Sequence, residues 1–338
     1  MKAIQYHGNH RLELTEVSDP VAGFDDVLIK PLAVGICGTD LHIVEGNYPS
    51  VPPLTIGHEV AGVVKELGKN VTHLKVGDLI TVEPHKYCGS CIYCQIGYEH
   101  MCIDKLAYGV HLPGGMAELQ VIPSKIAYKL PEGITPQIGA LTEPLACCIH
   151  ALDRLDPLSG LPILIVGAGP AGALLVSLAK YRGLSPIYSV DNRKDRRDLA
   201  ELMGADAVFT SIDEAKESLQ SNFNISDFPY VVDAVGSPDI LNKALEVVSR
   251  RGTILVFGVA HPDAKWVTNP NQIYAKELTI IGSAINPFTH RRAIGLLERL
   301  PLGNLRIKTF NFKDLKVAFE AQVDGTYDKI QFSPEGGS

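Results

Sequence analysis

A glycine-rich turn between an apolar run and a helical run constrains the fold more than any other feature of the 338-residue chain. The apolar run 161–166 leads into G-A-G-P-A-G at 167–172, which fits the pattern G-x-G-x-x-G and opens a helical run that ends near residue 181. Asp191 follows 19 residues after the last glycine, at the end of the next apolar run. Glycines at these positions allow a tight turn, close approach of the backbone to a pyrophosphate, and close packing of helix on strand. The pattern therefore predicts a strand–turn–helix unit that binds a dinucleotide.

The sequence around this turn alternates short apolar runs with helical segments. Five more apolar runs follow the first, at residues 186–191, 207–210, 230–234, 253–258 and 278–283. Strands that alternate with helices form a parallel sheet. Six strands match the sheet of a dinucleotide-binding domain. The sequence therefore predicts an α/β fold in which residues 152–285 form a Rossmann-type, doubly wound parallel sheet.

The first 151 residues have a different pattern. Gly, Pro, Asn and Asp recur about every 8–12 residues between short alternating segments such as 27–30 and 60–65. This pattern is typical of half-buried strands joined by turns. Beyond residue 286 the alternation of strands and helices ends, so we expect residues 286–338 to return to this first, mostly-β domain.

Composition and charge exclude several classes of function. The net charge is −7 and no basic run is long enough to track a phosphate backbone, so we do not expect a nucleic acid partner. No apolar stretch approaches the ~20 residues that span a bilayer, and the N-terminus lacks the apolar core of a signal peptide. We therefore expect a cytoplasmic protein without a membrane partner. In that compartment the seven cysteines are expected to be thiols or metal ligands rather than disulfides.

Four of the cysteines lie close together, with the spacing C-x2-C-x2-C-x7-C. They are Cys88, Cys91, Cys94 and Cys102. Four thiolates within 15 residues can surround one tetrahedral zinc ion and stabilise a small lobe that has no core of its own. An iron–sulfur cluster and unliganded thiols are the alternatives. A zinc ion with four protein ligands has no open position, so its role would be structural.

A second set of metal-binding residue types is spread over a longer stretch. Cys37 lies in G-I-C-G-T-D-L-H, and the pair His58-Glu59 lies in I-G-H-E-V-A-G. Cysteine, histidine and carboxylate side chains are common zinc ligands. Because 20 residues separate Cys37 from His58, the spacing fits a buried thiol and a turn histidine as well as a metal site.

These motifs together resemble one family. Residues 57–78, G-H-E-V-A-G-V-V-K-E-L-G-K-N-V-T-H-L-K-V-G-D, look like the signature of the zinc-containing, medium-chain alcohol dehydrogenases. The Cys37 motif before them, the four cysteines after them and the glycine turn at 167–172 come in that family's order. The resemblance implies a GroES-like catalytic domain at 1–151 and 286–338, with an NAD-binding domain between its two parts.

The resemblance also assigns roles to individual residues. Cys37, His58 and Glu59 match the ligands of a catalytic zinc. The segment T-E-P-L is similar to the polyol (sorbitol, xylitol, arabitol) dehydrogenase branch, in which Glu143 matches an acid that binds the zinc or contacts bound water and substrate. A proton relay to solvent is matched by Thr39 and His42.

Two further points concern the ligands of this metal site, one from the resemblance and one from counting charges. In members of the ethanol type a second cysteine is the third ligand, and Cys147 or Cys148 could take that role, but the E-P-L match favours Glu143. Zinc with one thiolate, one neutral imidazole and one carboxylate is formally neutral, and a second carboxylate makes the charge −1. We therefore expect Glu59 and Glu143 to exchange on the metal, with one bound at a time.

The cofactor residues are predicted from the glycine turn and the acid after it. They are Gly167, Gly169, Pro170, Ala171, Gly172 and Asp191, to which the resemblance adds Arg196. The Asp191 carboxylate would accept hydrogen bonds from the ribose hydroxyls and repel a 2′-phosphate, so NAD is expected rather than NADP. The alternative stays open because Arg193, Arg196 and Arg197 follow, and an arginine could pair with that phosphate instead of lining a solvated helix turn.

The activity implied by the resemblance is hydride transfer between NAD and a secondary hydroxyl of a polyol, or the corresponding ketose. It implies two zinc ions per chain, one catalytic and one structural, and a homo-oligomer that is a dimer or a tetramer. A threonine dehydrogenase or another secondary-alcohol dehydrogenase is the alternative among enzymes. A non-catalytic NAD sensor or a structural protein on the same scaffold is the alternative from another class.

Overall fold

The computed structural model describes residues 1–334 and divides into two compact units. The first unit comprises Met1–Pro144, His290–Glu298 and Arg306–Ser338, and the second comprises Leu145–Thr289 and Arg299–Leu305. The predicted domain boundaries, at 151 and 286, compare with divisions after Pro144 and after Thr289, and Arg299–Leu305, predicted in the first domain, belongs to the second unit. Residues 335–338, at the end of the predicted first domain, lie outside the described part of the chain.

Strands and helices are numbered separately in chain order. The strands are β1 (Lys2–Tyr6), β2 (Leu12–Glu16), β3 (Asp26–Gly35), β4 (Leu54–Thr55), β5 (Glu59–Leu67), β6 (Leu79–Val82), β7 (His85–Lys86), β8 (Leu106–Ala107), β9 (Gln120–Pro123), β10 (Ala127–Lys129), β11 (Ile163–Val166), β12 (Ile187–Val190), β13 (Ala207–Phe209), β14 (Phe228–Asp233), β15 (Val248–Val256), β16 (Thr279–Gly282), β17 (Ile307–Asn311) and β18 (Lys329–Ser333).

The α-helices are α1 (Gly38–Val44), α2 (Ile92–Gln95), α3 (Pro136–Gly139), α4 (Thr142–Leu155), α5 (Pro170–Tyr181), α6 (Lys194–Leu202), α7 (Ile212–Phe223), α8 (Pro238–Val247), α9 (Pro270–Lys276), α10 (His290–Ile294) and α11 (Leu315–Asp324). Short 3₁₀ segments lie at Glu99–Met101, Ser124–Ile126, Leu302–Asn304 and Phe312–Asp314. Between residues 1 and 334, none of the helices combines the length and the apolar character that crossing a bilayer requires.

The first unit is built mainly on antiparallel pairing. Its larger sheet has the strand order β10-β6-β5-β3-β18-β17, with β9 also paired to β3, and a smaller sheet has the order β2-β1-β4. Over its first eight residues β3 buries every second one, as expected for a strand with one face on the core. That core includes Val27, Ile29, Ile80 and Phe332. Strand β18 pairs antiparallel with β3, so segments from both ends of the chain share one sheet.

The second unit contains a six-stranded parallel sheet with the order β13-β12-β11-β14-β15-β16. In this unit the chain winds outward from β11 in one direction and then from β14 in the other, which is the topology of a doubly wound sheet. All residues of β11 and β12 are buried, as expected for parallel strands covered on both faces. The predicted fold class, a mostly-β domain plus a doubly wound parallel sheet, is confirmed.

Strand β15 differs most from its predicted range, because it begins at Val248 where the apolar run suggested 253. The residues from Ser249 to Arg251 are polar and partly or fully exposed, so hydropathy gives no sign of a strand there. Arg251 has a left-handed φ of 58°, and a Cβ at Gly252 would lie 2.6 Å from a Val248 methyl group. The exposed polar residues before this bend therefore hide the first half of the strand from sequence reasoning.

The turn after β14 depends on a fully buried carboxylate. Asp233 Oδ1 accepts hydrogen bonds from the N–H groups of Val235 and Gly236 at 2.9 Å, and Oδ2 accepts one from Ser237 at 3.2 Å. Ser237 is the N-cap of α8. One side chain therefore accepts three of the four N–H groups of the strand-to-helix connection, and the fourth, that of Ala234, donates to the carbonyl oxygen of Val166.

Replacing this carboxylate should destabilise the protein. We expect Asp233→Ala to lower the free energy of unfolding by about 2–4 kcal/mol, because several N–H groups lose their acceptor at once. Urea titration followed by circular dichroism measures the loss. Asp233→Asn keeps one acceptor oxygen and should lose less, and equal stability of Asp233→Ala and the unmutated protein would contradict the role of the carboxylate.

Candidate functional site

Three candidate metal ligands come together at one end of the β3–β5 pair. Donor atoms of Cys37, His58 and Glu59 all lie within 4.8 Å of one another. The antiparallel register places Glu59 opposite Gly35, and Cys37 follows two residues later as the N-cap of α1. Strand pairing therefore closes the gap between Cys37 and His58 that spacing alone left open.

Two glycines make room for this group of donors. Gly57 has a left-handed φ of 96°, and an added Cβ would come within 2.7 Å of a Val34 methyl group. At Gly35 an added Cβ would overlap Oε2 of Glu59. A side chain at either position would displace the strand end or the carboxylate itself.

A buried carboxylate, Asp40, lies beside His58. Its Oδ2 accepts a hydrogen bond from the N–H of Cys37 at 2.8 Å, and its Oδ1 lies 3.6 Å from Nδ1 of His58. Burial alone lowers the pKa of His58, but the charge of Asp40 raises that pKa well above its ordinary value. In metal sites a carboxylate typically lies next to the histidine ring nitrogen that does not bind the metal, and it fixes the orientation of the ring.

A buried lysine contacts the third donor. Lys329, at the start of β18, donates a hydrogen bond from Nζ to Oε1 of Glu59 at 2.7 Å, and Nζ lies 2.5 Å from Oε2. Burial alone lowers the pKa of Lys329, but Glu59, with smaller contributions from Cys37 and Glu143, raises it above its ordinary value. Lys329 is therefore an ammonium ion at this end of the sheet.

The three donors fit a divalent metal ion. A thiolate, an imidazole and a carboxylate are ligands that zinc accepts. One donor atom from each of Cys37, His58 and Glu59 lies within 4.8 Å of the other two, so a single cation placed between them could contact all three.

The other residues predicted for this site lie on two helices. Glu143 is buried in the first turn of α4, and it does not belong to the group of three, although its charge acts on Lys329. Thr39 lies on α1, and its Oγ1 is 3.9 Å from Sγ of Cys37. His42 follows three residues later on the same helix, half-exposed, with Nδ1 3.6 Å from a carboxylate oxygen of Glu45.

The four clustered cysteines form the second group of donors, and all four sulfur atoms lie within 4.8 Å of one another. Sγ of Cys91 is 3.6 Å from Sγ of Cys94. The N–H groups of Ser90 and Cys91 donate to Sγ of Cys88 and lower the pKa of that thiol to about 6. Backbone N–H groups that stabilise a thiolate favour a metal bound by sulfur. The segment that carries the cysteines, residues 88–102, contains only the short helices α2 and Glu99–Met101.

In the second unit, Asp191 holds the glycine turn in place. Oδ2 of Asp191 accepts a hydrogen bond from the N–H of Ala168 at 2.9 Å, and Oδ1 accepts one from the N–H of Arg193 at 3.0 Å. A Cβ at Gly172 would overlap the carbonyl oxygen of Gly167, so the turn closes only with glycine there.

The turn leads directly into the N-terminus of α5. Gly169 is the N-cap and Pro170 is the first helical residue, where the missing N–H of proline has no cost. Ala171 and Gly172 complete the first turn of the helix. The free N–H groups and the positive end of the helix dipole at this position favour a bound pyrophosphate.

Two of the three arginines after Asp191 are engaged within the unit. Arg193 forms an ion pair with Asp195 at 2.8 Å, and Nη1 of Arg197 donates to the carbonyl oxygen of Asp191 at 2.8 Å. Arg196 makes a longer contact, with Nη1 at 3.7 Å from Oδ2 of Asp191. Of the three, Arg196 is the side chain best placed to meet a ligand at the carboxylate.

The sequence matches two family models, "Alcohol dehydrogenase GroES-like domain" over residues 23–132 and "Zinc-binding dehydrogenase" over residues 170–299. D-arabinitol dehydrogenase 1 of Uromyces fabae is 32% identical over 302 residues, which are 88% of this chain and 86% of that protein. The chain belongs to the zinc-containing, medium-chain alcohol dehydrogenase family. L-threonine 3-dehydrogenase of Pyrococcus horikoshii is 38% identical over 279 residues, which are 80% of this chain and 78% of that protein.

A solved structure supports the same assignment of this medium-chain dehydrogenase. A zinc-binding dehydrogenase from Sinorhizobium meliloti 1021, bound to NADP, superposes with a TM-score of 0.90 at 32% identity and covers 98% of this chain and 99% of that chain. The resemblance in sequence is thereby confirmed, including the GroES-like first domain, and the arabinitol relative supports the polyol-like branch.

The two remaining cysteines of the dehydrogenase lie in the second unit and join neither group of donors. Cys148 is buried on α4, where its thiol donates to the carbonyl oxygen of Ala171 at 3.6 Å, and Cys147 is half-buried beside it.

Sequence reasoning missed two residues of the candidate metal centre. Asp40 lies inside the G-T-D-L-H motif, so its position three residues after a candidate ligand could have indicated it. Lys329 lies in D-K-I-Q-F, an ordinary strand pattern, and nothing in the sequence connects it with Glu59.

Proposed function

We propose that this dehydrogenase binds zinc through Cys37, His58 and Glu59 and transfers a hydride between a secondary hydroxyl of a polyol and NAD. The group of three donors carries the proposal, because a sensor or a structural protein needs no thiol, imidazole and carboxylate within 4.8 Å of one another. The similarity to D-arabinitol dehydrogenase 1 supports a polyol as substrate.

Zinc bound by these donors would supply Lewis acidity that favours loss of the proton from the substrate hydroxyl. In this proposal Thr39 receives that proton, because its Oγ1 lies beside Cys37. His42 lies on the same face of α1 and passes the proton to solvent, to which its side chain is 32% exposed. Glu143 binds a substrate hydroxyl or takes the place of Glu59 as the carboxylate ligand.

The glycine turn is proposed to bind NAD, which carries the hydride. The N-terminus of α5 would bind the pyrophosphate, and Asp191 would accept hydrogen bonds from the ribose hydroxyls. A carboxylate has about four acceptor positions, so Asp191 can accept these bonds while it holds Ala168 and Arg193. The NADP in the Sinorhizobium meliloti structure makes the choice between the two cofactors a point to test.

The group of four cysteines is proposed to bind a second, structural zinc ion. A closed set of four thiolates leaves no position for a substrate. The lobe that carries them contains only short helices, so the metal would replace a hydrophobic core.

A threonine dehydrogenase is the second candidate function, and the Pyrococcus horikoshii relative favours it with the higher identity. A panel of polyols and L-threonine, assayed with NAD by the absorbance of NADH, discriminates between the two. Oxidation of L-threonine but of no polyol would overturn the polyol assignment, and no turnover of any secondary alcohol would favour the sensor.

Two variants separate the metal from the proton relay. We expect Cys37→Ala to lose about one zinc ion per chain and to abolish turnover, while NAD still binds, because Cys37 and the glycine turn belong to different units. Thr39→Val should retain its zinc and slow oxidation by about 10²–10⁴-fold. Metal analysis, fluorescence titration with NADH and steady-state kinetics measure these effects. Polyol oxidation by Cys37→Ala at an undiminished rate would contradict the zinc mechanism.

Asp191 should determine the cofactor preference. We expect Asp191→Ser to shift the ratio of kcat/KM toward NADP by about 10–100-fold, because like charges a few Å apart repel by about 1–4 kcal/mol near a protein surface. Asp191→Asn, which keeps an acceptor for the glycine turn but loses the charge, is the matched control and should shift the ratio in the same direction. A preference of the unmutated enzyme for NADP would contradict this role.

The proposed structural zinc can be tested at Cys91. We expect Cys91→Ser to lose about one zinc ion per chain and to lower the melting temperature, since three thiolates cannot close the tetrahedron. Cys147→Ser, at a cysteine outside both groups of donors, is the control and should retain its zinc. Full zinc content and unchanged melting of Cys91→Ser would rule out a metal in this lobe.

A further inference from the structure

One cavity of the first unit is lined by basic side chains, although the whole chain has a net charge of −7. It has a volume of about 290 Å³ and lies between β10, α10 and the loop that joins β5 to β6. No residue that lines it is a proposed metal ligand or part of the glycine turn. The polar part of the lining consists of His73, Lys125, Tyr128, Lys129 and Arg291.

Arg291 is positioned by an aromatic ring rather than by a carboxylate. The guanidinium carbon lies 5.5 Å from the centre of the Tyr128 ring, within the range of a cation–π contact. The Tyr128 hydroxyl donates to Oε2 of Glu83 at 2.9 Å, and the ring centroid lies 5.1 Å from that of His290, so the supporting ring is itself held in place. Within residues 1–334 the guanidinium forms no ion pair and donates no hydrogen bond, so its N–H groups are available to a ligand.

Of the two lysines at the cavity, one has a counter-charge. Nζ of Lys129 donates to Oδ1 of Asp78 at 2.6 Å, and this hydrogen bond lowers the pKa of the Asp78 carboxyl. Lys125, on the 3₁₀ segment before β10, forms no ion pair in the part of the chain that the structure describes. Lys125 and Arg291 therefore bring two uncompensated positive charges to one cavity.

Two positive charges in one cavity match an anion with two negative charges. A phosphate monoester carries about −1.5 to −2 charges at pH 7 and offers three acceptor oxygens. A guanidinium can donate two parallel hydrogen bonds to such oxygens, and a lysine adds a point charge. A carboxylate carries a single charge and would leave one of the two cations uncompensated. Leu74 and Ile294 also line the cavity, so the organic part of an ester would find apolar contacts there.

We propose that this cavity binds a small organic phosphate monoester through Lys125 and Arg291. The site shares no residue with the proposed metal and NAD sites, so the inference does not depend on the proposed activity.

Phenyl phosphate is a suitable probe, because it combines a dianionic phosphoryl group with an apolar ring. The full chain is titrated by calorimetry in the presence of NADH, which is expected to occupy the glycine turn. We expect saturable binding of one molecule per chain with a Kd of about 1 mM or below at low ionic strength, weakened by added salt.

Three variants locate the binding site. Lys125→Ala and Arg291→Ala should each weaken binding by about 10-fold or more, because each loses a hydrogen bond to a charged group. Arg291→Lys keeps the charge without the two parallel hydrogen bonds, so its affinity should lie between those of the unmutated protein and Arg291→Ala. Lys316→Ala is the matched control, since it removes the same charge from an exposed position on α11, and it should leave the affinity unchanged.

The outcomes separate the site from its ligand class. No saturable binding, or equal affinity of the unmutated protein and the alanine variants, would overturn the site, and the second result would place the probe elsewhere on the chain. Circular dichroism checks the folding of each variant, and Lys125→Ala, at an exposed side chain, tests the site even if Arg291→Ala does not fold. Sulfate and benzoate should bind more weakly than phenyl phosphate. Equal affinity for sulfate would overturn the need for an organic part, and equal affinity for benzoate would overturn the need for a phosphoryl group.

Discussion

The buried carboxylate of Glu59 is the charge on which the arrangement of the first unit depends. An ion removed from water costs several kcal/mol unless a counter-charge and hydrogen bonds replace its hydration. Strand β5 contributes the carboxylate, β3 makes room for it with Gly35, and β18 contributes Lys329 from 270 positions further along the chain. Three strands must therefore be in register before the charge is compensated. The counter-charge comes from the segment that returns to the first unit after the parallel sheet.

Two charged side chains adjoin the three donors: Asp40 is negative and lies beside Cys37 and His58, and Lys329 is positive and contacts Glu59. Asp40 accepts a hydrogen bond from the backbone N–H of Cys37, and its other oxygen lies 3.6 Å from Nδ1 of His58, so a single buried carboxylate adjoins two of the three donors. Lys329 orients the third. The charges of Asp40 and Lys329 cancel each other. The site would then carry only the charges of the Cys37 thiolate, the Glu59 carboxylate and a divalent ion, which sum to zero. Partners of this kind orient the ligands of metal sites.

The second unit uses acids in a different way. Asp191 comes directly after β12 and Asp233 ends β14, and these are the two strands that flank β11. Asp233 accepts N–H groups of the turn that follows it, whereas Asp191 accepts one N–H from the glycine turn after β11 and one from the turn that follows β12. These turns lie at the carboxyl edge of the sheet, where doubly wound folds bind their ligands. The same carboxylate of Asp191 thus stabilises the turn and, in the proposed function, selects the cofactor. Residues 88–102, which carry the four cysteines, contain no strand and contribute no side chain to the hydrophobic core of the first unit. In the proposed function a zinc ion bound by the four sulfur atoms stabilises them instead.

The sequence by itself determined the architecture, because its signals are local. The glycine turn and the alternation of strands and helices predict the parallel sheet, and the spacing of the four cysteines predicts their cluster within 15 residues. Cys37, His58 and Glu59 were recognisable as donors by residue type and family resemblance, yet only the β3–β5 register brings them within 4.8 Å. Lys329 was decided by the tertiary structure alone, since a lysine in an alternating strand is ordinarily a solvated side chain. What buries it is the pairing of β18 with β3, a contact between distant segments that no local pattern of residues encodes.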